Sequence, residues 1–333
     1  MTARAILAAA IAGCGGGNTT VAPDAGPIDA RPIDAPVCFG TYGYCFTTPP
    51  AGELVLRDAL NTASDPRCDA ATSAVCLIGA HDIVVTQALV LSGARPLALV
   101  ARTIQVDGSI TLAKMIGNPA DCIAPTAPAQ RAGYAGGSFG TRGGNGGASQ
   151  QGAGGVASAA TVPAGLRGGC SGAGDDAGTG LAAGGLALIA SQQITLFVRS
   201  WINACGGGGL GAQTASAGGG GGGSGGMVLL DAPVIELDGS VLALGGGGGG
   251  GSTTVAIGIG GATGCNAMSS ITAPGGNGPN GRGGDGATTG TGAAGAAASS
   301  GAGGGGGGAG VILVHGTTTG AGQLIPAKTS IGP

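Results

Sequence analysis

Short apolar segments recur along the chain and share one pattern. Each full copy is an aliphatic run, a short break, and a stretch in which apolar and polar residues alternate. The full copies are Leu97–Leu112, Leu186–Cys205 and Met227–Leu244, with a rougher copy at Asp82–Leu91 and a half-copy at Val311–His315. Alternation with period two and a high content of β-branched residues is typical of strands with one buried face. The copies therefore predict β-strands.

The alternating parts of the copies align with one another. Ile104, Ile194 and Ile235 occupy equivalent positions on the apolar side. The polar residues that follow them fall on the opposite side: Gln105, Thr195 and Glu236. One copy alone has too little apolar surface to form a core, whereas stacked copies would place the three isoleucines in one column. The sequence thus predicts an all-β fold, a right-handed parallel β-helix (β-solenoid).

Two Asp-Gly pairs keep a second architecture open. Asp107-Gly108 and Asp238-Gly239 each lie between two strand-like segments and supply turns there. Asp-Gly is also a strong hairpin signal, because both residues tolerate the backbone conformations of tight hairpin turns. The alternative to the solenoid is therefore an antiparallel β-sandwich.

Glycine-rich insertions separate the copies. Glycine supplies 79 of the 333 residues, and the insertions span 113–185, 206–226 and 245–310. Such composition is common in disordered chains, yet a mean hydropathy of +0.37 and a net charge of −3 are unusual for disorder. Packed, extended helices of the polyglycine-II type are the alternative to disorder. Packing is favoured because three runs adjoin strands: Gly218–Gly223, Gly245–Gly251 and Gly303–Gly308.

The N-terminus has the layout of a bacterial export signal. A positive charge at Arg4 precedes a short apolar run, and Ile11–Cys14 resembles the lipobox of lipoproteins that are cleaved before an acylated cysteine. The resemblance predicts a signal peptide at 1–13 and a lipidated Cys14. An ordinary cysteine after small residues is the alternative. Residues 14–36 are rich in Pro, Asp and Ala and predict a tether between the membrane and a folded body.

The remaining eight cysteines suit disulfides in an oxidising compartment. Eight cysteines allow 105 pairings. Short loops and neighbouring positions favour four of them: Cys38–Cys45, Cys68–Cys76, Cys122–Cys170 and Cys205–Cys265. Zinc is the rival interpretation, but the chain has no C-x-x-C pair and only two histidines. The sequence therefore predicts disulfides, no metal site and no cofactor.

Nucleic acid is an unexpected partner for this chain. Its 13 Lys and Arg residues are scattered and form no basic stripe. Catalytic chemistry is also unexpected, because the motifs that glycine-rich sequences generate by chance lack the required strand, helix and partner residues. A β-helix enzyme that degrades polysaccharides is the enzymatic rival, and it would need a second acid beside Glu236. Asp175-Asp176 lies in a glycine loop that cannot hold it rigidly. No catalytic residue is predicted.

The segment Cys38–Phe46 concentrates aromatic residues. Half of the eight aromatic residues of the chain lie in it: Phe39, Tyr42, Tyr44 and Phe46. Aromatic rings on a constrained loop suit sugar or partner binding. The other interpretation is a cap whose rings cover the open end of the solenoid, with the cap at 37–80 and the solenoid at 81–333. Phe197 and Trp201 lie inside a strand copy and are expected to pack.

These features together resemble a family of glycine-rich bacterial lipoproteins of myxobacterial type. The stretches that carry the resemblance are DAGPIDARPIDAP in the tether, GGSFGTRGGNGG at 136–147, LRGGC at 166–170, GGGGGGSGGMVLLDAP at 218–233 and GGGGGGAGVILVHG at 303–316. The resemblance implies a location at the outer membrane or cell surface and no established activity. Likeness to PE-PGRS proteins is compositional only, since the PE domain is absent.

Three functions follow as expectations. The first is a non-catalytic, lipid-anchored structural or adhesive surface protein, whose partners are the membrane and surface polysaccharides or proteins. The second is a glycan-binding module that uses residues 38–46. The polysaccharide-degrading enzyme comes third.

Overall fold

The computed structural model describes residues 36–330, apart from 71, 115–117, 162, 175–177 and 266–270. The predicted signal peptide at 1–13, the lipidation site Cys14 and nearly all of the tether lie outside the described residues. So does Asp175-Asp176.

The described ranges are all-β and contain no α-helix, hence none that could cross a membrane. The strands are β1 (Val37–Phe39), β2 (Tyr44–Phe46), β3 (Glu53–Asn61), β4 (Cys76–Gly79), β5 (Asp82–Ser92), β6 (Leu97–Val106), β7 (Ser109–Thr111), β8 (Gly185–Leu196), β9 (Trp201–Asn203), β10 (Met227–Leu237), β11 (Ser240–Leu242), β12 (Val311–Thr319), β13 (Gln323–Ile325) and β14 (Thr329–Ser330).

Twelve of these strands form one sheet in which every pairing is parallel. The antiparallel sandwich is therefore wrong. Among the described strands, only β1 and β2 pair antiparallel, and they form a separate hairpin. The Asp-Gly pairs do not reverse the chain. Asp107-Gly108 joins β6 to β7 and Asp238-Gly239 joins β10 to β11, and the chain continues in the same direction at both.

The long strands bend, so the sheet divides into three parallel stacks. The first stack contains β4, the first halves of β6, β8, β10 and β12, and β14. The second contains the first halves of β3 and β5 and the second halves of β6, β8, β10 and β12. The third contains the ends of β3 and β5 together with β7, β9, β11 and β13.

The second stack contains the predicted isoleucine column. Ile104 pairs with Ile194, and Ile194 pairs with Ile235. All three are fully buried in the main aliphatic core. The column forms because strand spacing of about 4.8 Å places equivalent side chains of parallel strands in direct contact.

The first stack is buried on both faces, which explains its uninterrupted apolar sequence. In β6, Leu97 and Leu99 face the main core, whereas Ala98 and Val100 face a second apolar layer. That second layer includes Phe139 from a glycine-rich insertion and residues of the β1–β2 hairpin. Both faces therefore require apolar side chains.

The sheet begins earlier than the sequence indicates. β3 pairs with β5 and β4 pairs with β6, so strands of the sheet lie within the range 37–80 that was assigned to a cap. The residues that stand apart from the sheet at this end are those of the β1–β2 hairpin.

Much of the described part of the glycine-rich insertions is packed, and we call its segments that are hydrogen-bonded to one another the glycine bundle. One run, residues 219–226, donates backbone hydrogen bonds of 2.8–3.0 Å to three neighbouring segments in rotation. Gly219, Gly222 and Gly225 donate to Ala302, Gly305 and Gly308; Gly220, Gly223 and Gly226 donate to Leu210, Gly207 and Ala204; Gly221 and Ser224 donate to Ala173 and Cys170. Bonding every third residue to the same neighbour matches the three residues per turn of extended polyproline-II geometry.

Close approach, not unusual backbone conformation, is what requires glycine in this bundle. None of the three long runs contains a glycine with a left-handed φ. A Cβ atom on Gly246 would overlap the carbonyl oxygen of Gly207, and one on Gly307 would overlap that of Gly223. The segments pack at a distance that only Cα hydrogens permit.

Four disulfides cross-link the described chain, and their pairs are those favoured in the sequence analysis. They join Cys38 to Cys45, Cys68 to Cys76, Cys122 to Cys170 and Cys205 to Cys265. Cys122–Cys170 spans 48 residues within the first insertion, whereas Cys205–Cys265 spans 60 residues and joins the end of the Leu186–Cys205 copy to the last insertion. Cross-links that span long loops remove the most conformational freedom from the unfolded chain.

Candidate functional site

The aromatic hairpin packs against the sheet. Phe46 is buried, and Phe39 meets it edge-to-face with ring centroids 6.0 Å apart. Tyr42 and Tyr44 are partly buried against the outer face of the first stack. Burial, followed by the nearby Tyr42, raises the pKa of Tyr44 to about 12, which keeps its phenol neutral. The rings cover the outer face of the first stack, whereas the predicted cap would cover an open end. Their role in ligand binding stays a prediction.

A buried carboxylate fixes the hairpin to the first stack. Asp231 of β10 accepts hydrogen bonds from the backbone N–H of Thr41 (2.6 Å) and from its hydroxyl (2.8 Å). The other oxygen of Asp231 lies 2.8 Å from Nδ1 of His315 on β12. The hairpin turn and His315 thus each satisfy one oxygen of an acid whose burial without partners would be costly.

Arg167 connects the Cys122–Cys170 disulfide to the glycine bundle. Its guanidinium lies over the Phe139 ring, 4.7 Å from the centroid, and Nη2 lies 3.1 and 3.0 Å from the two sulfur atoms. Arg167 also pairs with Asp121. A planar cation that stacks on a ring while it pairs with an acid is a stabilising arrangement typical of arginine.

Lys114 lies where the sheet meets the glycine bundle. Its ammonium donates a hydrogen bond to the carbonyl oxygen of Cys205. Burial lowers the pKa of Lys114 to about 8. No described group of acids, cysteines and histidines could hold a metal ion, and Lys114 has no described acid beside it.

The outward face of the second stack carries a polar groove of about 270 Å³. We call it the second-stack groove. Its lining includes Thr103, Gln105, Gln193, Thr195, Phe197 and Glu236. These residues come from β6, β8 and β10, which are neighbours in the sheet although long insertions separate them in sequence.

A hydrogen-bonded network forms the middle of the groove. The side-chain amide of Gln193 donates to the Thr195 hydroxyl (3.0 Å) and to the Glu236 carboxylate (3.2 Å). Thr195 forms the floor and is only 8% exposed. Phe197, at 40% exposed, borders the same groove. The groove thus combines polar groups in fixed positions with an accessible aromatic ring.

A charged cluster adjoins one end of the groove. Asp82 accepts hydrogen bonds from the Thr103 hydroxyl (2.5 Å) and from the Arg102 guanidinium (3.0 Å). The bond from Thr103, with smaller contributions from His81 and Arg102, lowers the pKa of Asp82 to about 2. Arg102 also donates to Gln192 (2.9 Å). The positive charge of Arg102 is therefore already paired.

Sequence reasoning placed Gln105, Thr195 and Glu236 on one outward face but did not identify the groove. Gln105 pairs with Thr195, and Thr195 pairs with Glu236, so the three form one row across adjacent strands. Phe197, expected to pack in the core or on the sheet surface, is partly exposed and its side chain borders the groove. The signal that points to the groove is the alignment of polar positions across the copies.

We compared the chain with protein-family models, curated proteins and solved structures, and found no significant match in any of the three comparisons.

Proposed function

We propose that this chain is an exported, lipid-anchored protein of the outer membrane or cell surface with a structural or adhesive role. The observation that carries the proposal is the cross-linking of the glycine-rich insertions. Segments that could have been loose are joined by two long-range disulfides and by dense backbone hydrogen bonds. Disulfides persist in oxidising compartments, which is compatible with export.

A non-catalytic role agrees with the arrangement of acids. Among the described residues that line the second-stack groove, Glu236 is the one carboxylate. A glycosidase needs a second carboxylate close to the first, and the described lining supplies none beside Glu236. This lining disfavours the polysaccharide-degrading alternative.

We further infer that the three stacks are the successive faces of a right-handed β-solenoid, with the glycine bundle in polyglycine-II form. Parallel strands joined by crossovers within one sheet are right-handed in about 98% of cases. The three-residue hydrogen-bond period supports the polyglycine-II assignment. A crystal structure tests both.

The anchor is tested by radiolabelled palmitate incorporation together with protease treatment of intact cells. We expect wild type to incorporate label and to be cleaved at the surface, and Cys14→Ala to incorporate none. The double variant Cys38→Ser/Cys45→Ser is the control for loss of cysteine and should retain the label. Unlabelled wild-type protein in the soluble fraction would contradict the proposal.

Glycan binding is the second candidate function. The aromatic hairpin was its expected location, but those rings pack on the sheet. The second-stack groove is the observation that now favours glycan binding, because it presents amide, hydroxyl and carboxylate groups beside an accessible ring.

A further inference from the structure

We propose that the second-stack groove binds a neutral, hydroxyl-rich polysaccharide. This proposal rests on the adhesive role proposed above and gives that role a ligand class and a location. The ligand would lie across β6, β8 and β10, over the row formed by Gln105, Thr195 and Glu236.

The groove offers hydrogen-bonding groups that suit sugar hydroxyls. A hydroxyl both donates and accepts, so it pairs best with side chains that present both functions at short spacing. Gln193 already links Thr195 to Glu236 and holds the carboxylate in place. Gln105 is exposed, and its amide bonds to no described side chain. Fixed groups reduce the entropy lost on binding.

Phe197 supplies the apolar part of the site. A sugar ring has an apolar face of C–H groups, and an aromatic ring is the side chain that best covers such a face. The Phe197 side chain borders the groove at the end of β8 and is 40% exposed. An aromatic side chain left accessible beside a polar network is typical of ligand sites, which combine apolar surface with a few placed polar groups.

Charge selects the neutral class of polysaccharide. Glu236 brings a negative charge into the groove, and no lysine or arginine lines it among the described residues. Arg102, next to the groove, is already paired with Asp82. An acidic polymer would therefore be repelled, whereas a neutral chain would only exchange water for protein hydrogen bonds.

The test uses the purified, oxidised full chain in detergent on immobilised polysaccharides. The neutral probes are β-glucan, mannan and galactan, and the acidic probe is polygalacturonate. We expect at least one neutral probe to bind and the acidic probe not to bind. Phe197→Ala and Gln105→Ala should each weaken neutral binding about tenfold, equivalent to about 1.4 kcal/mol. Glu236→Gln should increase retention of polygalacturonate, because it removes the negative charge from the groove.

Control variants show whether a loss of binding comes from the groove residues or from any exposed residue nearby. Val198→Ala removes the neighbouring side chain, which is 70% exposed, and Gln87→Ala removes an exposed glutamine outside the groove lining. Both should bind as wild type does. Tyr42→Ala, in the aromatic hairpin, should also bind as wild type.

The results distinguish this proposal from the surface anchor. If no neutral probe binds, or if Tyr42→Ala abolishes binding while Phe197→Ala and Gln105→Ala leave it intact, the groove proposal is overturned. Palmitate labelling at Cys14 is measured separately on cells, so a labelled surface protein that binds no glycan would refute the groove alone. Glycan binding by an unlabelled, soluble protein would refute the anchor alone.

Discussion

The parallel sheet and the glycine bundle both bury their backbone, but the sheet does so with large side chains and the bundle with almost none. Both must satisfy a buried backbone, and in both the backbone N–H groups donate to carbonyl groups of neighbouring strands or segments. In the sheet, large side chains such as Ile194 fill the space beside the backbone. In the long glycine runs the segments approach so closely that a Cβ atom on Gly246 would overlap the carbonyl oxygen of Gly207.

A buried backbone therefore requires large apolar side chains in the sheet and the absence of side chains in the glycine bundle. The sheet gains stability from apolar area removed from water, so it loses stability when methyl groups are removed. The bundle buries little side-chain area and depends on hydrogen bonds and close contacts, which must offset the high entropy cost of ordering glycine. It should lose stability when methyl groups are added.

The largest effect is expected for removal of side-chain volume from the sheet. Ile194→Ala takes three carbon atoms from the middle of the isoleucine column, where Ile104 and Ile235 cannot both move to fill the gap. We expect a loss of about 4 kcal/mol in the free energy of unfolding, measured by denaturant titration. Val90→Ala, at a side chain 49% exposed, is the control and should cost below about 1 kcal/mol. Equal losses would refute the column as the source of stability.

The second effect is expected from the addition of one methyl group to the bundle. Gly246→Ala should cost about 3 kcal/mol, because its Cβ would overlap a backbone carbonyl that neighbouring hydrogen bonds hold in place. Gly290→Ala is the matched control, since a Cβ there meets no atom within 4 Å. The control should be neutral or slightly stabilising, because alanine restricts the unfolded chain.

Amide hydrogen exchange checks the same packing without a substitution. Gly222, Gly249 and Gly307 should exchange slowly, since each donates to a carbonyl of another buried segment. Random-coil exchange at these amides, or equal stability of Gly246→Ala and Gly290→Ala, would mean that the bundle is not packed in solution.

A smaller, pH-dependent effect is expected at Lys114, where the two regions meet. Its pKa is about 8 in the folded protein and about 10.5 when unfolded. Between these values the unfolded chain binds the extra proton, so stability rises with pH, by at most about 1.4 kcal/mol per pH unit. Urea titrations from pH 7.5 to 9.5 should show the rise in wild type.

Lys114→Met isolates this contribution, because it retains the apolar part of the side chain and removes the charge. The rise with pH should disappear in the variant, and a rise that persists would assign it to another group. The urea titrations stop below pH 10, because above that pH the ionisation of Tyr44 lowers the stability as pH rises. Its pKa is raised to about 12, so the unfolded tyrosine loses its proton first and stability falls.

The sequence predicted the sheet better than the site. Ile104, Ile194 and Ile235 were aligned by pattern alone, because strand alternation records which face is buried. The start of the sheet was placed too late, since β3 and β4 depart from the repeat pattern. The groove was missed because its parts are polar residues that become neighbours only when β6, β8 and β10 are stacked.

By itself, the sequence determined the repeated strands, the alignment of their buried side chains and the adjacency of glycine runs to those strands. It did so because the alternation of apolar and polar side chains identifies a strand locally, whatever the length of the insertions between strands. Only the tertiary structure decided which glycine segments meet and what covers the outer face of the first stack. Glycine has no side chain to specify a partner, so its neighbours are set by the backbone positions that the sheet imposes at both ends of each insertion.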